Sequence, residues 1–387
     1  MLLEHLSVVD LRNLAHVELP AHRRLTVFLG DNGQGKTNLL EAVHLTAALR
    51  PLKPLSRSKE LIRFGADFAR VKGDYDVEGP LPIEVRVEAK GRRATLAGKQ
   101  VRDVGQVAER IGVVAFTPED LTVVRQGPDH RRRALDRFAY SLDAGFAAIA
   151  RRYDKALDQR NRLLKQPVVD AGMLESFTVP LVDAGIALLR ARVRVARAWG
   201  PVFQAAAARI SDGRLLPTLT YGSSLLDDAQ AAMRPDANLD DDPVDLDDAD
   251  LKERFAQKLA GQQQAERMRK TTLSGPHLDD VVLAIDDKRV RHLASQGEAR
   301  AMVLALKLAE VQLCTTARRT APLVLLDDVA GELDPKKARC LFEVIDEVEA
   351  QAFVTATHRD VLPPDLGAGH AFHLSEGAVV GDEALTP

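Results

Sequence analysis

Two kinds of hydrophobic spacing alternate along the chain, and the changeover points divide it into three stretches. At the start, Leu3, His5, Ser7 and Val9 alternate with their neighbours at the two-residue period of a strand, and the run LTVFLG predicts a buried strand. A helix is predicted from Asn38 to Leu49, a segment with little Gly or Pro. Short alternating runs between 70 and 115 (VRVEA, RRATLAG, GVVAF) predict a small antiparallel sheet. From about Asp120 the period lengthens. The segments HRRRALDRFAYSLDAGFAAIARRYDKALDQRNRLLK and LVDAGIALLRARVRVARAWGPVFQAAAARI both read as helical. In the second, Ile186, Leu189, Val193 and Ala196 share one face, with arginines between them. An acidic, Pro-containing linker over about 223–250 precedes a basic helix from Leu251 to Lys270. The chain then returns to α/β order with VVLAI, a helix from Gly297, the strand PLVLL, a helix from Pro335, and FVTAT.

An α/β, helical, α/β succession without internal repeat predicts an α/β core (1–120 and 271–387) carrying an inserted, mainly helical domain (121–270). The length of 387 residues fits more than one domain, and no stretch has the length of a long coiled coil. Composition adds little: 45% hydrophobic and 28% charged residues are ordinary for a globular chain. Cys314 and Cys340 form no framework or ligand cluster and read as cytosolic thiols. The opening MLLEHLSVVDLRN does not read as a secretory signal, and no uninterrupted apolar run approaches ~20 residues, so a cytoplasmic location is expected.

Charge changes the picture more. The net charge is −3, yet residues 227–250 hold ten Asp against one Arg, Arg234, and leave the rest of the chain at +6. The acidic stretch reads as a local, disordered embellishment, and the basic body is the part able to meet a polyanion. Residues 129–165 concentrate the excess, with ten Lys/Arg against five Asp. A solvated helical face is the plain reading of such a cluster; phosphate contact is the alternative.

The candidate chemistry starts with GDNGQGKT, which fits the phosphate-loop spacing G-x-x-x-x-G-K-[ST] between a predicted strand and a predicted helix. Gly30, Asp31, Asn32, Gly33, Gln34, Gly35, Lys36, Thr37 and Asn38 are the nucleotide-binding candidates. Backbone N–H groups around Gly33 and Gly35 and the helix N-terminus would surround the phosphates of ATP. Lys36 would reach the β/γ-phosphates, and the Thr37 hydroxyl would ligate Mg²⁺. PLVLLDD supplies the second requirement, a carboxylate at a strand end: Asp327 on the metal side and Asp328 beside it. The plain alternative is that two Asp residues simply end a buried strand. In ABC-like ATPases a Glu polarises the attacking water, and the shorter Asp328 predicts slow turnover.

Lys36 and Asp327 stand nearly a whole chain apart, so two distant segments must build one site across the helical insertion, as in SMC-type heads. SQGEAR, from Ser295 to Arg300, opens the helix before the Asp327 strand. It reads as a capping box, S-x-x-E. It also reads as an ABC-type signature in which Ser295, Gln296 and Gly297 touch ATP held by a second protomer, which would make ATP drive dimerisation. Both readings can hold.

Further stretches resemble the RecF family in particular, in the family's order: GDNGQGKTNLLEAV, FTPEDLTVVRQGPDHRRRALD with QRNRLLK, SGPHLDD, and LLDDVAGELD. The resemblance implies an ABC/SMC-type ATPase head with a slow ATPase used as a switch. It further implies recognition of double-stranded DNA near single-strand/double-strand junctions. With RecR and RecO, such a protein helps load RecA in gap repair, replication-fork maintenance and the SOS response. Glu332 and Asp334 fit the loop that crosses between protomers. His358 is placed like the switch His of ABC ATPases, or is an exposed loop His. Beside such a head, Arg131, Arg132, Arg133, Arg151, Arg152 and Lys165 become DNA-contact candidates. The chain departs from the family at Glu298-Ala299 (usually Gln-Gln), at Leu278 (commonly Arg) and at Ala330-Gly331, and no metal-facing Gln loop can be placed. Another SMC-like ATPase, a transporter-associated ABC subunit, or a scaffold that binds ATP without hydrolysing it are the competing readings.

Overall fold

A computed structural model describes residues 1–53, 56–143, 145–223, 225, 247–285, 288–290, 294–328, 333–364 and 366–385. The expected acidic disorder (apart from its ends), Ala330-Gly331 and Glu332 lie outside the described residues. Two compact units result: Met1–Leu121 with Val303–Pro387, and Thr122–Met302.

In the first unit, period-two patterning produces β1 (Leu2–Leu11) and β2 (Leu14–Pro20), and the fully buried LTVFL makes β3 (Leu25–Leu29). A register shift between Leu3 and His5 changes the phase of β1, so that Leu3, Leu6, Val8 and Leu11 are its buried residues rather than a simple odd-numbered set. After α1 (Lys36–Ala48) and the short α2 (Ser58–Leu61) come β4 (Phe68–Asp76), β5 (Pro80–Glu88), β6 (Gly91–Leu96) and β7 (Lys99–Gln100), completing an antiparallel sheet of order β2-β1-β4-β5-β6-β7.

The short α3 (Gly105–Ala108) leads to β8 (Val113–Phe116). Here the sequence reading is corrected. VVAF does not join the antiparallel sheet but pairs parallel with Leu323–Leu326, Val114 opposite Val324. Both faces of such a strand are covered, and a four-residue apolar run looks the same in either sheet.

The second unit begins with α4 (Leu121–Arg125) and α5 (Pro128–Leu142), followed by α6 (Phe146–Leu164) and the 41-residue α7 (Ala171–Ser211). The helix α7 is long and apolar enough to cross a membrane, but half of its most apolar 18-residue stretch is buried within the protein. Leu181, Ile186, Leu189, Val193, Ala196 and Trp199 all face inward. Next come β9 (Pro217–Gly222), α8 (Asp248–Arg269), β10 (Asp280–Ile285) and β11 (Lys288–Arg289). VVLAI, expected to reopen the α/β core, instead pairs with β9 in a three-stranded antiparallel sheet, Leu283 opposite Leu219. The expected return at 271 is therefore later: the division falls between Met302 and Val303, within α9 (Gln296–Arg318).

The remaining elements, β12 (Leu323–Leu326), α10 (Pro335–Glu347), β13 (Ala352–Ala356), β14 (Gly369–Ser375) and β15 (Ala378–Leu385), complete the first unit. Its second sheet runs β15-β14-β3-β13-β12-β8, parallel except for β15. One continuous core joins the inward side chains of the antiparallel sheet (Leu6, Val8, Val71, Ile83) to α1 (Leu39, Leu40, Val43) and to Phe28, Leu325 and Phe353 of the parallel sheet. This is the expected ABC/SMC-type head: an α/β P-loop core with a mainly helical insertion and, among the described residues, no long coiled coil.

Candidate active site

The phosphate loop leaves β3, near the middle of the parallel sheet, at its carboxyl end, and α1 follows it, the strand–loop–helix geometry at which α/β sheets bind phosphates. Gly30 has φ 149°, and a Cβ there would lie 2.5 Å from the Leu374 carbonyl oxygen, so no side chain fits. Lys36 is buried, with its ammonium turned onto the loop itself: Nζ donates to the carbonyls of Gly30 (2.6 Å) and Asp31 (3.0 Å). Outside contacts hold the loop in shape. Asn13 Nδ2 donates to Gly33 O at 3.1 Å, Asn38 Nδ2 donates to Asn13 Oδ1 at 2.7 Å, and Gly377 N donates to Gln34 O at 3.1 Å. Asp31, Asn32 and Gly33 remain exposed at the loop's tip. Asn13 and the Glu376-Gly377 turn carry no motif of their own, and the sequence reading missed them.

Asp327 follows β12, and β13 lies between β12 and β3. Its Oδ1 accepts from the Thr37 hydroxyl at 2.7 Å and from the Thr355 hydroxyl, at the end of β13, at 3.1 Å. Burial pushes the Asp327 carboxyl above the usual carboxylate range, against these two hydrogen bonds. Thr355 also anchors the neighbouring residue, its oxygen accepting the Asp328 N–H at 2.8 Å. Asp328 itself adopts a left-handed backbone, φ 53°, and is only partly buried. Thr355 is fully buried and escaped the sequence reading, because only the strand order reveals that it stands between the loop and the acids. The Thr37 hydroxyl and Asp327 carboxylate are hard oxygen donors, suited to Mg²⁺, an ion that takes its other ligands from phosphate and water.

The other nominated residues divide. Ser295 and Glu298 form the capping box: Ser295 N donates to Glu298 Oε2 (2.8 Å) and Glu298 N to Ser295 Oγ (3.2 Å). Ser295, Gln296 and Gly297 are all exposed at the start of α9. Asp334 caps α10, accepting from Lys337 N at 3.0 Å and pairing with the Lys337 ammonium at 2.7 Å. Glu332 lies outside the described residues. His358 is exposed just past β13, at the carboxyl end of the sheet where the loop and acids also lie.

Among the basic candidates the structure corrects two. Arg131 is buried and makes a bidentate pair with Asp280 (2.8 and 2.9 Å), and Arg132 is bound to Asp129 and the Asp279 carbonyl. Both are framework groups, tied to the distant Asp279-Asp280 segment: Arg131 through the Asp280 carboxylate and Arg132 through the Asp279 carbonyl. Arg133, Arg151, Arg152 and Lys165 are exposed. The same framework explains the other motifs. Arg160 of QRNR is buried against Glu266 (2.7 Å), Thr178 and Thr272. Arg192 binds Asp136 and the Pro276 carbonyl. In SGPHLDD, Gly275 (φ 127°) would bring a Cβ to within 2.7 Å of both Phe255 Cζ and Tyr153 Oη, His277 Nδ1 meets Tyr153 Oη at 2.7 Å, and Asp279 accepts from Tyr221 at 2.9 Å. Leu278 points outward, half exposed.

Comparison with known proteins agrees with this geometry. The RecF/RecN/SMC N terminal domain family matches residues 2–364. A DNA replication and repair protein RecF of Anaeromyxobacter sp. (strain Fw109-5) is 41% identical over 383 residues, 98% of this chain and 99% of that one. A solved RecF–ATP structure, described as the recombination mediator protein in the RecFOR pathway, superposes with TM-score 0.85 at 25% identity, covering 100% of this chain and 98% of the other. An SMC head bound to the C-winged helix domain of ScpA (TM-score 0.56, 16% identity, 100% and 98% covered) shares the fold. The chain belongs to the RecF family of DNA replication and repair proteins, within the RecF/RecN/SMC group of ATPases.

Proposed function

We propose that the chain is an ATP-dependent, DNA-binding recombination mediator acting in gap repair, replication-fork maintenance and SOS induction. It binds double-stranded DNA near single-strand/double-strand junctions and, with RecO and RecR, helps load RecA; its setting is the bacterial cytoplasm, at the nucleoid during repair. The observation that carries the ATP-dependent part is the link from Thr37 through Asp327 to Thr355, which joins the phosphate loop to the strand-end acids across 290 residues of chain. The DNA and partner assignments rest on the RecF relatives.

In the mechanism, backbone N–H groups of Gly33 to Thr37 orient the phosphates, and the Lys36 ammonium exchanges its loop carbonyls for β/γ-oxygens. Thr37 and Asp327 would hold Mg²⁺, which supplies charge neutralisation at those oxygens when bound. Asp328 accepts a proton from the attacking water; its short arm makes hydrolysis slow, so that it times a DNA-bound state. Ser295 and Gly297 of a second protomer complete the site, and ATP thereby favours the dimer.

The test is duplex-DNA binding with and without ATP, with sizing of the complexes, on wild type and Lys36→Arg. ATP-dependent binding accompanied by a monomer-to-dimer shift, both lost in the variant, is the expected outcome. Tight ATP binding without DNA affinity in any state would leave an ATPase and remove the repair role.

A further inference from the structure

Two of the six cations that sequence spacing singles out, Arg131 and Arg132, are engaged within the helical unit, and another basic cluster lies at the open edge of the antiparallel sheet. Residues 90–110 hold six Lys/Arg against two Asp/Glu. The β6–β7 hairpin turns through Ala97 (φ 48°) and Gly98 (φ 76°), a two-residue turn with both φ positive that fixes Lys99 opposite Leu96. Beside this edge is an open pocket of about 660 Å³ lined by Leu96, Lys99, Gln100, Arg102, Gln106, Glu109 and Arg110. Lys99, Arg102 and Arg110 are exposed, and among the described residues none of the three pairs with a carboxylate. That separates them from Arg131, Arg132, Arg160 and Arg192, whose charges are met inside the protein.

We infer that this pocket is a nucleic-acid phosphate site: Lys99, Arg102 and Arg110 grip the backbone of duplex DNA at the β6–β7 edge of the ATPase unit. The inference rests on the DNA-binding reading above and adds where the backbone lies. Three cations against the single acid Glu109 leave the lining net positive, which attracts a polyanion, and two Arg forks present paired N–H donors that match phosphate oxygens. Charged Lys and Arg donors are directed at phosphate oxygens, so contact is to the backbone and independent of sequence. Lys at a short edge strand also discourages edge-to-edge pairing, and the experiment separates that role from binding.

The experiment compares the full-length wild type with the triple variant Lys99→Ala/Arg102→Ala/Arg110→Ala, measuring affinity for a duplex with a recessed end from low to moderate salt. The charge-conserving Lys99→Arg/Arg102→Lys/Arg110→Lys variant serves as the control. The expected result is at least about tenfold weaker binding by the Ala variant and a salt slope smaller by roughly 2–3. ATP affinity and melting temperature stay those of the wild type, and the charge-conserving variant binds normally. Equal affinity and slope in wild type and Ala variant overturn the site alone, and would mean that these cations keep the edge soluble or face an acidic protein. A wild type that binds ATP but no duplex overturns the DNA reading as well.

Discussion

Thr355 shows how much one hydroxyl can organise. It donates to Asp327 Oδ1 and accepts the Asp328 N–H, from a position with no solvent exposure. Replacement by Val keeps the shape and removes both hydrogen bonds, leaving a backbone N–H without its partner at a cost of about 1–3 kcal/mol. Thr355→Val is expected to lower ATP hydrolysis about tenfold or more while ATP affinity changes only a few-fold, since the loop and Lys36 are untouched. Thr355→Ser should restore the rate. Single-turnover hydrolysis at the wild-type rate in the Val variant would show that the acids are positioned without it. The motif residues Lys36, Thr37 and Asp327 were legible because their chemistry is written in contiguous spacing. Thr355 was not, because its importance comes from β13 lying between β3 and β12.

At the scale of elements, the motifs of the helical unit are stabilising contacts made across it. SGPHLDD meets α5 through Arg131–Asp280 and α7 through Arg192–Pro276, and QRNR meets α8 through Arg160–Glu266. Periodicity revealed these helices but not the role of their arginines, since a cation's partner is set by tertiary pairing; Arg131 therefore looked like a DNA contact. Its removal leaves Asp280 without its bidentate partner in a mostly buried site, so Arg131→Ala should cost about 3 kcal/mol in urea unfolding, whereas exposed Arg133→Ala should stay within about 0.5 kcal/mol. Equal effects would return Arg131 to the surface.

His277 gives the same region a pH dependence. Burial holds its ring below the ordinary 6.5; Arg132 and Arg192 add to the shift, while the hydrogen bond to the Thr272 carbonyl and the Glu266 charge oppose it, and Tyr153 Oη faces Nδ1. Below pH 6.5 the unfolded ring takes up a proton that the folded ring resists, so this contribution is complete above 6.5 and is lost as pH falls through the folded value. Urea midpoints should decline from pH 7.5 to about 5.5 more steeply in the wild type than in His277→Asn. Parallel declines would show that other groups carry the acid sensitivity.

On the scale of the whole molecule, the order α/β, helical, α/β was readable because the period of the hydrophobic pattern changes twice. The boundary was misplaced by about thirty residues, since β10 has the composition of a core strand and only its pairing with β9 assigns it to the helical unit. A single chain does not complete the site of the proposed function, which places Ser295 and Gly297 against the ATP of a second protomer, and under that proposal Glu298 is the residue to test. Its carboxylate is held below the usual range by hydrogen bonds from Ser295, so it is charged at neutral pH, and it would lie near the γ-phosphate of the partner's ATP. Gln can still close the capping box, so Glu298→Gln removes a repulsion without unwinding α9. ATP-dependent dimerisation, measured by sedimentation in an Asp328→Asn background to slow hydrolysis, should tighten about fivefold, the equivalent of ~1 kcal/mol for a partly solvated charge. An unchanged dimer constant would place Glu298 away from the phosphate; a weaker dimer would mean that its charge meets a cation of the partner, and that SQGEAR serves the protomer interface by another contact.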